Sequence, residues 1–199
     1  MRTHGCFTCA VAVAMNNYGH QIDPGQLNDK LNAIGGYDRE GLLIWSKLEE
    51  AYPALVLASA FDTTLMPTSG SHVLIDEALT RIQDLVAMGI PVLVTVDVPG
   101  VNTPGLSDHI ICLTDAEKWL ANDSNGGVEV KLAEGYPYGP PEKAIFGARV
   151  LVGSPTAFPD YSTRKDKRDG QALWKAAQVS RGRNVATYSR EIVKSFIGE

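Results

Sequence analysis

The sequence predicts an α+β fold, with helices first and an antiparallel sheet after them. Three observations carry that expectation. Apolar residues recur at helical spacing through the first fifty positions. From residue 91 onward, short β-branched runs alternate with Gly, Pro and Asn turns. Helical and strand patterns are segregated rather than alternating, as in α+β rather than α/β chains.

Each element follows from its residues. Residues 6–18 are mostly small and apolar, so a helix here is buried on most sides, and Gly19 ends it. Asp23-Pro24-Gly25-Gln26 combines an N-cap, a proline at the first helical position and a capping-box glutamine, opening a helix through Leu31. Gly35-Gly36-Tyr37 is a turn. Leu42, Leu43, Trp45, Leu48 and Tyr52 suit an amphipathic helix over 40–52. Leu55 to Phe61 suits a strand, and residues 62–72 a polar loop. Ile75 to Met88 is helical, with Leu79, Ile82, Leu85 and Val86 on one face, and Gly89-Ile90-Pro91 breaks it. Pro91 to Val98 is a central strand, followed by a Gly/Pro loop over 99–107. His109–Thr114, Trp119–Asn122 and Val128–Leu132 are further strands, and Ala148–Val152 closes the sheet.

Bulk properties narrow the function classes. With 199 residues, 44% of them hydrophobic, the chain can bury a real core as one domain plus an extension. We place the domain at 1–155 and a basic helical extension at 156–199. Positions 160–199 hold nine Lys/Arg against five Asp/Glu, whereas positions 1–159 hold nine against eighteen. The extension reads either as a solvated helical arm folded on the acidic body or as a docking arm for a protein partner or self-association, anchored by Trp174, Tyr188 and Phe196. The net charge of −5 argues against nucleic acid as a partner. No apolar run approaches the ~18 residues of a membrane span. Signal-peptide features are missing at the start, so the expected place of synthesis is the cytoplasm, with a virion or release by lysis as later destinations. Three cysteines cannot all pair, which argues against a disulfide framework.

The chemistry centres on Cys6, at the front of the first helix. A helix N-terminus favours negative charge and lowers a thiol's pKa. His109 follows on an apolar strand, and Asp123 comes fourteen residues later in Asn122-Asp123-Ser124-Asn125. Thiol, strand histidine and carboxylate are the parts of an activated nucleophile with its base and orienting group. Taken singly, each has a plainer reading as a buried small hydrophobe, a structural histidine and a turn.

The run Gly5-Cys6-Phe7-Thr8-Cys9…Asn17-Tyr18-Gly19 resembles the nucleophile segment of the bacteriocin-processing (double-glycine leader) cysteine peptidases, a branch of the papain-like fold also found in phage lysins and phage virion proteins. Gly35-Gly36-Tyr37, Leu42-Leu43-Ile44-Trp45 and Gly89-Ile90-Pro91-Val92 resemble its later segments. The likeness covers roughly residues 5–152. It implies a papain-like fold with catalytic Cys6, His109 and Asp123, Asn122 as a fallback orienter, and no cofactor or metal. The implied activity is hydrolysis of a peptide bond in a leader peptide or a bacterial cell-wall stem peptide. The alternative is a degenerate papain-like module with a structural or assembly role in a phage particle. Two departures bear on that choice. Phe7 follows the nucleophile where the family has glycine. The family's oxyanion glutamine has no counterpart before Cys6, leaving Thr3 or His4 to act with the Cys6 backbone N–H.

Two other readings are weaker. Cys6, Cys9, His109 and Cys112 spell four zinc ligands, yet His109 and Cys112 are three apart on a strand and face opposite sides. A thioredoxin-like Cys6-x-x-Cys9 normally follows a strand within a βαβ unit. Cys9 and Cys112 are therefore expected to be buried, unpaired and metal-free.

Overall fold

The structure is a computed structural model that describes residues 5–60, 76–87, 89–96, 109–125, 127–135 and 141–153. Thr3, His4, the expected loops at 62–72 and 99–107 and the expected extension at 156–199 lie outside the described residues. Within them the fold is α+β, with helices leading and an antiparallel sheet following.

Helix α1 spans Gly5–Asn17 and packs across the sheet. Ala10, Val11, Ala12, Ala14 and Met15 are buried on it, as its small apolar sequence requires. Gly19 takes a left-handed φ of 80°, a conformation that costs glycine little and ends the helix. Tyr18 lies just beyond the last turn and donates its buried hydroxyl proton to the Leu151 carbonyl. That bond ties the C-terminal end of α1 to the far end of the chain's core.

Helix α2 spans Pro24–Ala33. Asp23 Oδ1 accepts from the Gln26 N–H at 2.9 Å, and Gln26 Oε1 accepts from the Asp23 N–H at 3.2 Å. This reciprocal cap is the one expected from the sequence. After α2 the backbone N–H of Gly36 bonds to the Leu31 carbonyl at 2.8 Å. A Cβ on Gly36 would lie 2.8 Å from both that oxygen and the Leu31 Cβ, so only glycine lets the chain turn this tightly. The turn delivers Tyr37, whose hydroxyl donates to Asn28 Oδ1 at 3.1 Å and lies 2.9 Å from Thr8 Oγ1. The tyrosine has one proton to give, so Thr8 is the donor to Tyr37. Buried Thr8 thereby fixes the first half of α1 to α2.

Helix α3 spans Trp45–Ala51, shorter than the 40–52 expected. The cause is local. Asp38 Oδ1 accepts from the backbone N–H of Glu40 and Leu42, and Gly41 has a φ of 84°. An Asx-type turn competes with helix at these positions.

The sheet contains β1 (Leu55–Ala60), β2 (Val92–Val96), β3 (His109–Asp115), β4 (Leu120–Asp123), β5 (Val128–Lys131) and β6 (Ile145–Gly153). Helix α4 (Asp76–Ala87) precedes β2, and the short helices α5 (Leu132–Gly135) and α6 (Pro141–Ala144), which the sequence reading did not anticipate, precede β6. The strand order is β1-β6-β2-β3-β4-β5, every pairing antiparallel. The last strand therefore does not cap an edge. It slots between β1 and β2, and Val150, Leu151 and Val152 are fully buried there. β2 is buried on both faces, which explains its unbroken Val-Leu-Val-Thr-Val sequence. Among the described residues no helix is long and apolar enough to cross a membrane.

The Tyr18–Leu151 bond yields a test of this packing. Tyr18→Phe removes the donor and leaves a buried carbonyl short of a partner, so unfolding free energy in urea should fall by about 1–2 kcal/mol. An unchanged urea midpoint would show that the bond does not hold α1 to β6.

Candidate active site

Three elements meet at one point. α1 brings Cys6 in its first turn, β3 brings His109 as its first residue, and β4 brings Asp123 as its last. Side chains alternate along a strand, so His109, Ile111 and Leu113 share one face of β3. Leu113 stands opposite Ala121 on β4, and Asp123, two residues on, shares the face of Ala121. The sheet register alone therefore puts the imidazole and the carboxylate on one surface, a diagonal step apart.

His109 Nε2 lies 2.6 Å from Asp123 Oδ1. The carboxylate cannot donate, so the ring donates Nε2–H to it. Asp123 Oδ1 also accepts from the Asn125 backbone N–H at 2.8 Å. The turn residues after Asp123 thus aim the carboxylate. Asp123 is 7% exposed and the His109 side chain 11%. The imidazole also lies close enough to Cys6 for each group to shift the other's titration. With Nε2 committed to Asp123, Nδ1 is the nitrogen left for sulfur.

The electrostatics follow from this chain of contacts. Burial pushes the Cys6 thiol up, but four effects outweigh it and leave the pKa below its ordinary value. They are the His109 hydrogen bond, a backbone hydrogen bond at Ile110, the charge of His109 and a backbone hydrogen bond at Phe7. Burial pulls His109 down, but hydrogen bonds to Asp123 and Cys6, and the charges of both, lift it to about 9. Both shifts favour the same state, a thiolate beside an imidazolium. The two groups titrate as a pair rather than singly.

Phe7, the residue after the thiol, packs edge-on against Trp45 with ring centroids 5.7 Å apart. The Arg149 guanidinium carbon lies 4.8 Å from the Trp45 ring centroid and 5.9 Å from that of Phe7. A large residue at position 7 is thus accommodated by an aromatic and cationic stack beside Cys6.

The sequence-derived candidates divide as follows. Cys6, His109 and Asp123 come together. Asn122 lines a neighbouring cleft, and the partner on His109 Nε2 is Asp123. Thr3 and His4 lie outside the described residues. Cys112 is fully buried and unpaired, and burial raises its thiol to about 12. Cys9 corrects an expectation: it is unpaired but only half-buried, because it shares the Cys6 side of α1 and borders that same cleft. Among the described residues no cluster of three or more His, Cys, Asp or Glu could hold a metal ion. Sequence reasoning missed the Thr8–Tyr37–Asn28 chain and the Asn125 N–H on Asp123. Only the second had a readable signal, an Asp followed two residues later by the N–H of an Asx turn. No protein-family model matches this chain, and neither does any curated protein or solved structure.

The Asp123 contact can be tested directly. Asp123→Asn keeps the shape but removes the charge that favours imidazolium. The His109 pKa, followed by NMR of its ring protons, should fall from about 9 toward 6.5. A His109 titration unchanged in Asp123→Asn would mean that the carboxylate does not set the ring's charge.

Proposed function

We propose that this protein is a papain-like cysteine hydrolase that cleaves a peptide or amide bond, with a leader peptide or a bacterial cell-wall stem peptide as the substrate class. The observation that carries this reading is the imidazole of His109, bonded to a buried carboxylate and close enough to the Cys6 thiol for each to shift the other's titration. A structural histidine needs one such partner; a base that activates a thiol needs both.

The reaction follows from the protonation states. The Cys6 thiolate attacks the carbonyl carbon, and the carbonyl electrons move onto oxygen. The oxyanion forms beside the first turn of α1, where backbone N–H groups lack intrahelical acceptors. The Cys6 N–H is the donor available from the described residues. When the tetrahedral species collapses, the C–N bond breaks and His109 passes its proton to the departing amine. A thioester on Cys6 remains. His109, now neutral, takes a proton from water as the water attacks the thioester carbon. Collapse then breaks the C–S bond, returning the thiolate and releasing the acid. Asp123 keeps the Nε2–H tautomer throughout, so that Nδ1 faces sulfur. The cycle calls for no cofactor.

The charge states set the pH dependence. As pH falls through the lowered Cys6 pKa the thiolate takes up a proton and the rate drops. As pH rises past about 9, His109 loses the proton the leaving amine requires. Peptide cleavage should therefore follow a bell with its alkaline limb near pH 9.

The experiment is digestion of a peptide library, together with double-glycine leader peptides and purified cell-wall stem peptides, read by mass spectrometry. Cys6→Ala should abolish cleavage, and His109→Ala should reduce it by about 10²–10⁴-fold. Wild-type protein that alkylates quickly at Cys6 yet cleaves none of these would leave the papain-like module as a structural or assembly part with an idle site.

A further inference from the structure

The hydrolase reading uses only the first cysteine of Cys6-x-x-Cys9. Both residues lie on α1, three positions apart, which on an α-helix sets their Cα atoms about 5 Å apart. Disulfides span Cα separations of about 4.4–6.8 Å. Helical neighbours at this spacing have Cβ atoms about 5–6 Å apart, against about 3.5–4.5 Å in a disulfide. Closing the gap requires the first turn to tighten by roughly 1 Å. That turn is the easiest part of a helix to distort, because its N–H groups have no intrahelical partners to lose.

The two thiols are also chemically unequal in the useful sense. Cys6 is the more acidic, and Cys9 is raised, first by burial and then by the charge on Cys6. The sulfurs are therefore near enough for one charge to act on the other. Cys9 borders a cleft of about 290 Å³ that also touches Val13, Asn122, Asp123 and Val128, so solvent can take its proton. The remaining cysteine, Cys112, is fully buried and three residues along the strand from His109, on the opposite face, and offers no competing partner.

We propose that Cys6 and Cys9 form a reversible intrahelical disulfide, a modification site that stores the nucleophile in an unreactive state. The co-reactant is a low-molecular-weight disulfide, RSSR. The Cys6 thiolate attacks one sulfur of RSSR, forming a Cys6–SR mixed disulfide and expelling RS⁻. Cys9 gives its proton to solvent and attacks the Cys6 sulfur, forming the Cys6–Cys9 bond and expelling the second RS⁻. Two protein thiols are oxidised, one RSSR is reduced to two thiols, and the exchange runs backward in excess thiol. The loss of hydrolysis that follows rests on the Cys–His–Asp reading; the disulfide itself does not.

The test uses the full chain in oxidised glutathione at neutral pH, quenched with acid and read by intact mass and peptide mapping. Wild type should pass through a glutathione adduct on Cys6 to a species lacking two hydrogens, cross-linked between Cys6 and Cys9 and fully restored by dithiothreitol. Cys9→Ser and Cys9→Ala, each checked for native circular dichroism, should stop at the Cys6 adduct. The His109 pKa should fall in the cross-linked form, since the thiolate that helps raise it is gone. Wild type that keeps the glutathione adduct as the variants do, or that cross-links through Cys112, overturns the proposal. A cross-link that forms only at the rate of an ordinary thiol supports the disulfide and removes the hydrolase reading instead.

Discussion

The hydrogen bond from His109 to Asp123 is the constraint on which the site depends. Burying a carboxylate is costly unless it is paired and bonded. Asp123 is buried, and the partners that offset that cost include the imidazole and the Asn125 N–H. The same contact commits Nε2, leaves Nδ1 for Cys6 and favours imidazolium over neutral imidazole. Without it, burial would favour neutral imidazole, and Cys6 would lose the positive charge that helps hold its pKa down; at Cys112 burial alone raises the thiol. Cys6, with a positive partner and backbone hydrogen bonds, is lowered, whereas Cys112, with burial alone, is raised.

The scaffold serves this contact with few parts. Antiparallel pairing of β3 and β4 sets imidazole and carboxylate on one surface. α1 crosses β3 and presents its first turn to the imidazole. Three ties fix that helix: the Tyr18 bond to Leu151, the Thr8–Tyr37–Asn28 chain to α2, and the Phe7–Trp45–Arg149 stack. Two of the three reach β6, at the other end of the described core, so the position of the thiol depends on more than its neighbours in sequence.

Much of this was legible in the sequence because it is encoded locally. The Asp23 capping box, the Gly19 stop and the unbroken apolar run of β2 are short-range signals, and each matches the structure. The start of α3 was misread because the periodicity of Leu42, Leu43 and Trp45 suits a helix, while Asp38 captures the preceding backbone in a turn. The insertion of β6 between β1 and β2 was not legible, since strand order depends on pairings between residues some ninety positions apart. Cys9 was expected to be buried because its helix is apolar. Its half-exposure reflects the cleft formed with the end of β4, a tertiary feature with no sequence period.

The claim that His109 holds Cys6 as a thiolate is tested most directly by ultraviolet thiolate absorbance across pH, taken as wild type minus Cys6→Ser. The expected result is a thiolate midpoint below the ordinary cysteine value of 9.0, moving upward in His109→Ala. A wild-type midpoint at or above 9.0, unchanged in His109→Ala, would contradict it.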